Sequence, residues 1–298
     1  LSKSGFYAKF KSMKKNLTLL LLLLSFPFFL CSCACLCAGK LTNFSDPAGP
    51  RYVNLEMAKG QGEPDQKIIK VVSYNIDLCK KIGRVKDLLQ TDPHLADADI
   101  ICLQEMDQKG VEYLTAALNY NYVYYPCAIH PESRKDFGQA ILSKWPIEND
   151  RKILFPFSFQ DRYLKIQRCA VSAQITINTK KITVFSVHLG VMISPQHRVA
   201  QLGAVIENIP ADADSCIIAG DFNTYAQIHT RAVTGFLNQN GFYLATKNLG
   251  WTYKYWYLLN HKTALDYIFY RGLELIQAGK IKDRSHSDHL PVWADFKI

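Results

Sequence analysis

Five short apolar runs of this sequence each carry an acid, an amide or an imidazole at or near one end. "IIKVVSYN" runs out at Asn75, "ADIICLQE" at Glu105, "KITVFSVHLG" at His188 and "IIAGDFNT" at Asp221 with Asn223, while Asp266 interrupts "ALDYIFY". Asp288 and His289 stand just ahead of the final run, "PVWADFKI". Short apolar runs bounded by polar breaks read as buried strands. In open α/β sheets the ligand site forms where such strands end. Singly, each residue has an ordinary role: Asn75 shapes a turn, Glu105 caps a helix, His188 is a satisfied core histidine and Asp288 an N-cap. Their recurrence at strand ends constrains the fold, because it requires sheets that bring those ends to one cleft.

Between the runs lie amphipathic stretches, "GRVKDLLQ", "VEYLTAAL", residues 194–208 and residues 227–238, which read as helices. With "QAILS" and "CAVSAQITIN" as further strands, residues 67–298 are expected to form one α/β (α+β) domain of mixed sheets covered by helices. Residues 40–66, rich in Gly, Pro and Asp, read as a linker.

The stretch from Ile217 to Thr224 admits two readings. Asp221 and Asn223 both suit a tight turn and bond their own backbone. Alternatively, period-two alternation aims both the same way, toward a phosphate or a water. The carboxylate would then orient or deprotonate a nucleophile while the amide donates to an oxyanion.

The formal charge of +9 suggests a polyanionic partner, but residues 1–40 hold six Lys and no acid, leaving 29 basic against 26 acidic residues in the remainder. Bulk charge therefore says little about what the domain binds. Residues 1–12 read as an upstream extension, and residues 13–39 carry Lys14 and Lys15, an apolar run from Leu17 to Leu30 and a small-residue tail, the plan of an export signal. Three outcomes fit: a lipoprotein acylated at Cys33, an uncleaved membrane anchor, or a freely exported protein. Each places the domain outside the cytoplasm or at a membrane. Of nine Cys, the five beyond this segment (Cys79, Cys102, Cys127, Cys169, Cys216) show neither a disulfide framework nor zinc-ligand spacing.

Taken in order, "VVSYNI", "IICLQEM", "GQAILSKWPI", "FSVHLG", "IIAGDFNT", "LDYIFY" and "HSDHLPVWADF" resemble the motifs of the endonuclease/exonuclease/phosphatase (deoxyribonuclease I-like) superfamily over residues 68–298. The resemblance implies a four-layer sandwich, two packed mixed β-sheets flanked by helices. It also implies Mg²⁺-dependent hydrolysis of phosphodiesters by a monomeric enzyme, with Mn²⁺ as the alternative cation. A hard cation needs oxygen ligands, and these fall to Glu105, Asn75 and Asp288. His289, oriented by Asp266, is the expected base, and Asp221 aligns or deprotonates the water. Asn223 and His188 donate to the phosphoryl oxygens, and Arg168 contacts the substrate phosphate.

Substrate choice stays open at this level. Nucleic acid ranks ahead of a phospholipid headgroup or an inositol phosphate, and a catalytically silent surface-binding protein is the further alternative. Two tracts bear on it. Residues 130–138 with Arg162, Lys165 and Arg168 could form a basic rim for a polyanion. "WTYKYWY", residues 251–257, could stack bases, sit in a membrane interface or form half of a strand pair.

Overall fold

The computed structural model describes residues 42–57, 66–156, 166–254 and 262–298. The export signal and Cys33 lie outside them, as do Arg162 and Lys165 of the expected basic rim. Among the described residues no helix is long and apolar enough to cross a membrane.

In chain order the strands are β1 (Tyr52–Asn54), β2 (Ile68–Asn75), β3 (Ile100–Met106), β4 (Asn121–Ile129), β5 (Asp136–Ser143), β6 (Ile147–Leu154), β7 (Cys169–Ile177), β8 (Lys180–His188), β9 (Ser215–Asp221), β10 (Tyr243–Leu244), β11 (Tyr253–Lys254), β12 (Lys262–Thr263), β13 (Asp266–Arg271), β14 (Glu274–Lys280) and β15 (Val292–Lys297). The helices are α1 (Ile82–Thr91), α2 (Gln108–Leu118), α3 (Pro195–Glu207) and α4 (Gln227–Gln239). A first sheet runs β1-β4-β5-β3-β2-β15-β14 and a second β10-β13-β9-β8-β7-β6, with β11 and β12 paired apart. Each large sheet is mixed. Its one parallel pair, β2 with β3 or β8 with β9, is joined through a helix, α1 or α3.

Alternation along the strands builds the layers. Ile69, Val71, Ile100 and Cys102 of the first sheet pack against Val171, Val184, Ile217, Ala219 and Ile268 of the second. The intervening residues face outward: Val72, Ile101 and Leu103 meet Val85, Leu88 and Leu114 of α1 and α2. Phe185, Ile218 and Phe269 meet Leu202, Val205, Val233 and Leu237 of α3 and α4. Each fully buried aliphatic or aromatic side chain stabilises the fold by about 1.5–3 kcal/mol relative to exposure. The result is the helix–sheet–sheet–helix sandwich that the resemblance implied. The described cysteines are all buried and free, small hydrophobes rather than a disulfide framework.

Two parts of the sequence reading change. Residues 42–57 are not a linker: β1 pairs with β4, Phe44 N donates to Cys127 O at 2.8 Å and Arg51 pairs with Asp150 at 2.7 Å. Main-chain pairing and a buried ion-pair partner hold this segment despite its Pro and Gly content. The basic rim at 130–138 is also partly neutralised, since Lys135 Nζ lies 2.6 Å from Asp107 Oδ2.

Candidate functional site

Register alone places one half of the site. His188 on β8 stands opposite Asp221 on β9, and Asp221 stands opposite Asp266 on β13. Val184, Ala219 and Ile268 on the same strands face the inter-sheet core. Alternation therefore turns His188, Asp221 and Asp266 into the same gap, where all three are buried. The glycine before Asp221 is a packing requirement, because a Cβ on Gly220 would lie 1.9 Å from the Val187 carbonyl oxygen.

Asp221 uses its two oxygens differently. Oδ1 accepts from Asn223 N at 2.9 Å, closing the turn. Oδ2 accepts from Asn75 Nδ2 at 3.2 Å across the two sheets and lies 3.4 Å from His188 Nε2 and 3.8 Å from His289 Nε2. Turn former and site residue are thus one side chain. Asn223 departs from the alternation: its φ of 50° bends the chain, and its Nδ2 donates to Leu189 O at 2.9 Å, tying the exit of β9 to that of β8.

His289 is gripped from several sides. Its Nδ1 donates to Asp266 Oδ2 at 2.9 Å, its main-chain N donates to Ser287 Oγ at 3.1 Å, and the Tyr253 ring lies 4.7 Å from its own. Ser287 Oγ in turn donates to Asn75 O at 2.8 Å, and Thr252 Oγ1 accepts from the Asp266 main-chain N at 3.1 Å. Burial alone would lower the His289 pKa, but the charges of Asp266 and Asp221 outweigh it and raise it to about 10. His289, expected as a base, is thereby drawn toward its protonated form. Asp221 is raised by burial, against the pull of His289, only to about 6 and is ionised at neutral pH.

His188 is pushed the other way, well below the ordinary histidine value, by burial and then by the charge of Arg168. Arg168 Nη1 lies 3.0 Å from His188 Nδ1. The same Nη1 lies 3.1 Å from His188 Nε2, the ring nitrogen that faces Asp221 Oδ2 at 3.4 Å. The Arg168 guanidinium also lies 5.2 Å over the Phe137 ring. The structure thus sets Arg168, expected as a substrate-phosphate contact, between His188 and Phe137, and nothing in the sequence pointed to Phe137.

Glu105 reaches the site through an irregularity. Strict alternation from Ile101 and Leu103 would aim it outward, toward the helices. Instead β3 gains a residue against β5 between Leu103 and Met106, Glu105 takes a φ of 59°, and Met106 resumes the outward face. Such bulges re-aim single side chains next to functional sites. Burial and then the charge of Asp288 push Glu105 up to about 7, while His289, Arg168 and a hydrogen bond from Asn75 oppose the rise. Glu105 forms no ion pair among the described residues.

Two groups could hold a cation. Asp221, Asp266 and His289 offer atoms all within 4.8 Å of one another. That cluster is already bound together through the protonated imidazole, whose lost proton a cation would have to replace. Glu105, Asp288 and Asn75 offer oxygens, and the charge of Asp288 raises Glu105 rather than neutralising it. An oxygen set of this kind suits a hard dication.

Arg198 went unnoticed in the sequence. Fully buried on α3, it donates to Phe222 O at 3.1 Å and to Ile193 O and Gly190 O at 2.6 and 3.2 Å, joining the loops that follow Asp221 and His188. Helical spacing with buried Leu202 and Val205 already put it on the inward face.

The family model described as "Endonuclease/Exonuclease/phosphatase family" matches residues 72–289. Among relatives, the Escherichia coli strain K12 protein YbhP is 29% identical over 169 residues, which cover 49% of this chain and 60% of YbhP, so the match spans about three fifths of that protein. An endonuclease/exonuclease/phosphatase family protein from Leptotrichia buccalis superposes with a TM-score of 0.61 at 16% identity, covering 77% of this chain and 100% of that one. D. rerio TDP2, solved in complex with a single-strand DNA product, superposes with a TM-score of 0.61 at 19% identity, covering 78% of this chain and 100% of that one. These structures share the fold. With the motifs in order, the sandwich in place and the family model matched over most of its length, the chain belongs to the endonuclease/exonuclease/phosphatase family, whose members are typically hydrolases of phosphoester bonds.

Proposed function

We propose that this chain is a divalent-metal-dependent phosphodiesterase of nuclease type, acting outside the cytoplasm or at a membrane. The observation that carries the reading is the convergence on Asp221 Oδ2 of His188 Nε2 at 3.4 Å and His289 Nε2 at 3.8 Å, beside a second, oxygen-rich group. Glu105, Asp288 and Asn75 would hold the cation, Mg²⁺ or Mn²⁺, which supplies charge neutralisation at the phosphoryl oxygens when bound. Asp221, ionised at neutral pH, orients the attacking water and takes its proton. His289 holds a proton at Nε2, kept there by Asp266, and offers it to a developing oxyanion. Arg168 and the second amide hydrogen of Asn223 would donate to the remaining phosphoryl oxygens. The nucleic-acid reading draws on D. rerio TDP2, a chain of the same fold solved with a single-strand DNA product. Location draws on residues 13–39 alone.

The test is the full chain assayed with Mg²⁺ in parallel on plasmid DNA, RNA, sphingomyelin and phosphoinositides, with and without chelator. Nucleic-acid cleavage abolished by chelation is expected. Faster turnover of sphingomyelin or a phosphoinositide would reassign the substrate to a lipid headgroup, and no turnover of any would retire the enzymatic reading.

A further inference from the structure

"WTYKYWY" contributes its first four residues to the described structure, and they run past the site. Thr252 and Tyr253 touch Asp266 and His289, and β11 continues to Lys254 and pairs with β12. Residues 255–257 lie outside the described residues. Trp251 is half-buried, with Lys262 Nζ 4.9 Å and Lys280 Nζ 5.1 Å from its ring centroid. Lys280 also donates to the Trp251 carbonyl. Lys282 follows two residues later, and Arg284 Nη2 donates to Lys254 O at 3.2 Å. Five cationic side chains from β11, β12, the end of β14 and the segment before His289 therefore meet on one lip of the site.

Like charges gathered this closely repel unless an acid or a ligand offsets them. None of the five forms an ion pair among the described residues. The acid in their midst, Asp283, is engaged by Ser285 N at 2.8 Å and by His286 at 3.6 Å. Burial, and then the charges of Lys282 and Lys262, lower Lys280 from its ordinary value. Contact with the Trp251 ring fixes two of the ammonium groups in place, which reduces the entropy that a lysine loses on meeting an anion.

We propose that Lys262 and Lys280, fixed on Trp251 and backed by Lys282 and Arg284, form a subsite for a phosphate that flanks the scissile one in a nucleic-acid strand. This rests on the nuclease-type reading of the site. The lip begins two residues, about 7 Å of extended chain, from the tyrosine that stacks on His289. A lone headgroup phosphate in the site leaves the lip unused, whereas a strand carries further phosphates onto it. A membrane contact would favour a bare aromatic face, but the Trp251 ring carries two ammonium groups.

The experiment measures affinity of the full chain for a fluorescein-labelled oligothymidylate between about 50 and 200 mM salt, in chelator so that no cleavage occurs. Each phosphate neutralised on a single strand contributes about 0.7 to the log–log salt slope. The paired substitutions Lys262→Ala and Lys280→Ala are expected to flatten that slope by about 0.7, the contribution of one phosphate, and to weaken low-salt binding roughly tenfold, while the Lys→Arg pair keeps the parental slope. A parental slope in the Ala pair overturns the subsite. So does parental oligonucleotide binding combined with lost binding to phosphatidylserine vesicles, which would assign the lip to a membrane surface. Turnover with Mg²⁺ is read separately: an inactive parent retires the proposed function, while the salt slope still judges the subsite.

Discussion

The β2–α1–β3 and β8–α3–β9 units pose the same placement problem and answer it differently. Each joins a parallel strand pair through a helix, and each sends polar residues from its strand ends into the gap between the sheets. In the second unit His188 and Asp221 are register partners, and both continue the inward face of their strands. In the first, Asn75 is the register partner of Gln104, and Glu105 comes in only through the bulge and its left-handed backbone. In the register-built pair Asp221 has strand partners on both sides, His188 and Asp266. A bulge-built ligand costs backbone strain of order 1–3 kcal/mol that the surrounding packing must offset. In the proposed function the register-built unit supplies Asp221 for proton transfer, and the bulge-built unit supplies Asn75 and Glu105 for the cation.

Substitutions at the register-built half should show the largest effect. Asp221→Asn, which keeps size but not charge, is expected to lower turnover of bis(4-nitrophenyl) phosphate by about 10²–10⁴, the usual range for an acid–base group. Asn223→Asp should be comparably damaging because it sets a carboxylate against an anionic substrate. Thermal unfolding should stay within a few degrees of the parent for both. Near-parental rates in the two folded variants would reduce the pair to a turn and erase the contrast between the units.

At the bulge-built half the expected loss is smaller, and it depends on the cation. Glu105→Gln should cut Mg²⁺-dependent turnover by roughly a hundredfold and raise the Mg²⁺ concentration needed for half-maximal rate. If turnover falls while that Mg²⁺ requirement stays put, Glu105 is not the principal ligand.

The smallest effect expected is on stability against pH, and it separates Glu105, with Asp221 raised from 3.8 to about 6 beside it, from His289 by window, all three losing stability as pH rises. The folded pKa of Glu105 is raised from 4.5 to about 7, so the stability it contributes is full below 4.5 and lost as pH climbs to about 7. His289, raised from 6.5 to about 10, contributes stability that is full below 6.5 and lost on the way to about 10. Melting temperature in chelator should therefore fall in two stages, by a few degrees each. Mg²⁺ should shrink the lower stage, because a bound cation favours the ionised carboxylate, and leave the upper one in place. An upper stage that persists in His289→Gln would show that another group titrates there.

The strands that build the site were visible in the sequence because burial on both faces writes a long apolar run, as in "CIIAG" and "ITVFSV". β4 escaped because Pro126 interrupts it at a bulge, and β6 because "IENDRKIL" is polar along one stretch, with Asn149 at a φ of 50° where its register to β7 shifts. β1 escaped because three residues among Pro and Gly carry no periodicity and are held by pairing with a distant strand.

By itself the sequence determined which side chains stand at the strand ends and which positions along each strand share a face. These are local properties, set by a period of two residues and by apolar runs. Only the tertiary structure decided that Glu105 turns inward, that Asp221 serves both its own turn and Asn75 across the sheets, and that His289 is raised by buried carboxylates while His188 is lowered by burial and Arg168. Each of these depends on groups far apart in the chain, through strand pairing against β5, contact between two sheets and the summed field of buried charges. No pattern of neighbours along the chain encodes those distances.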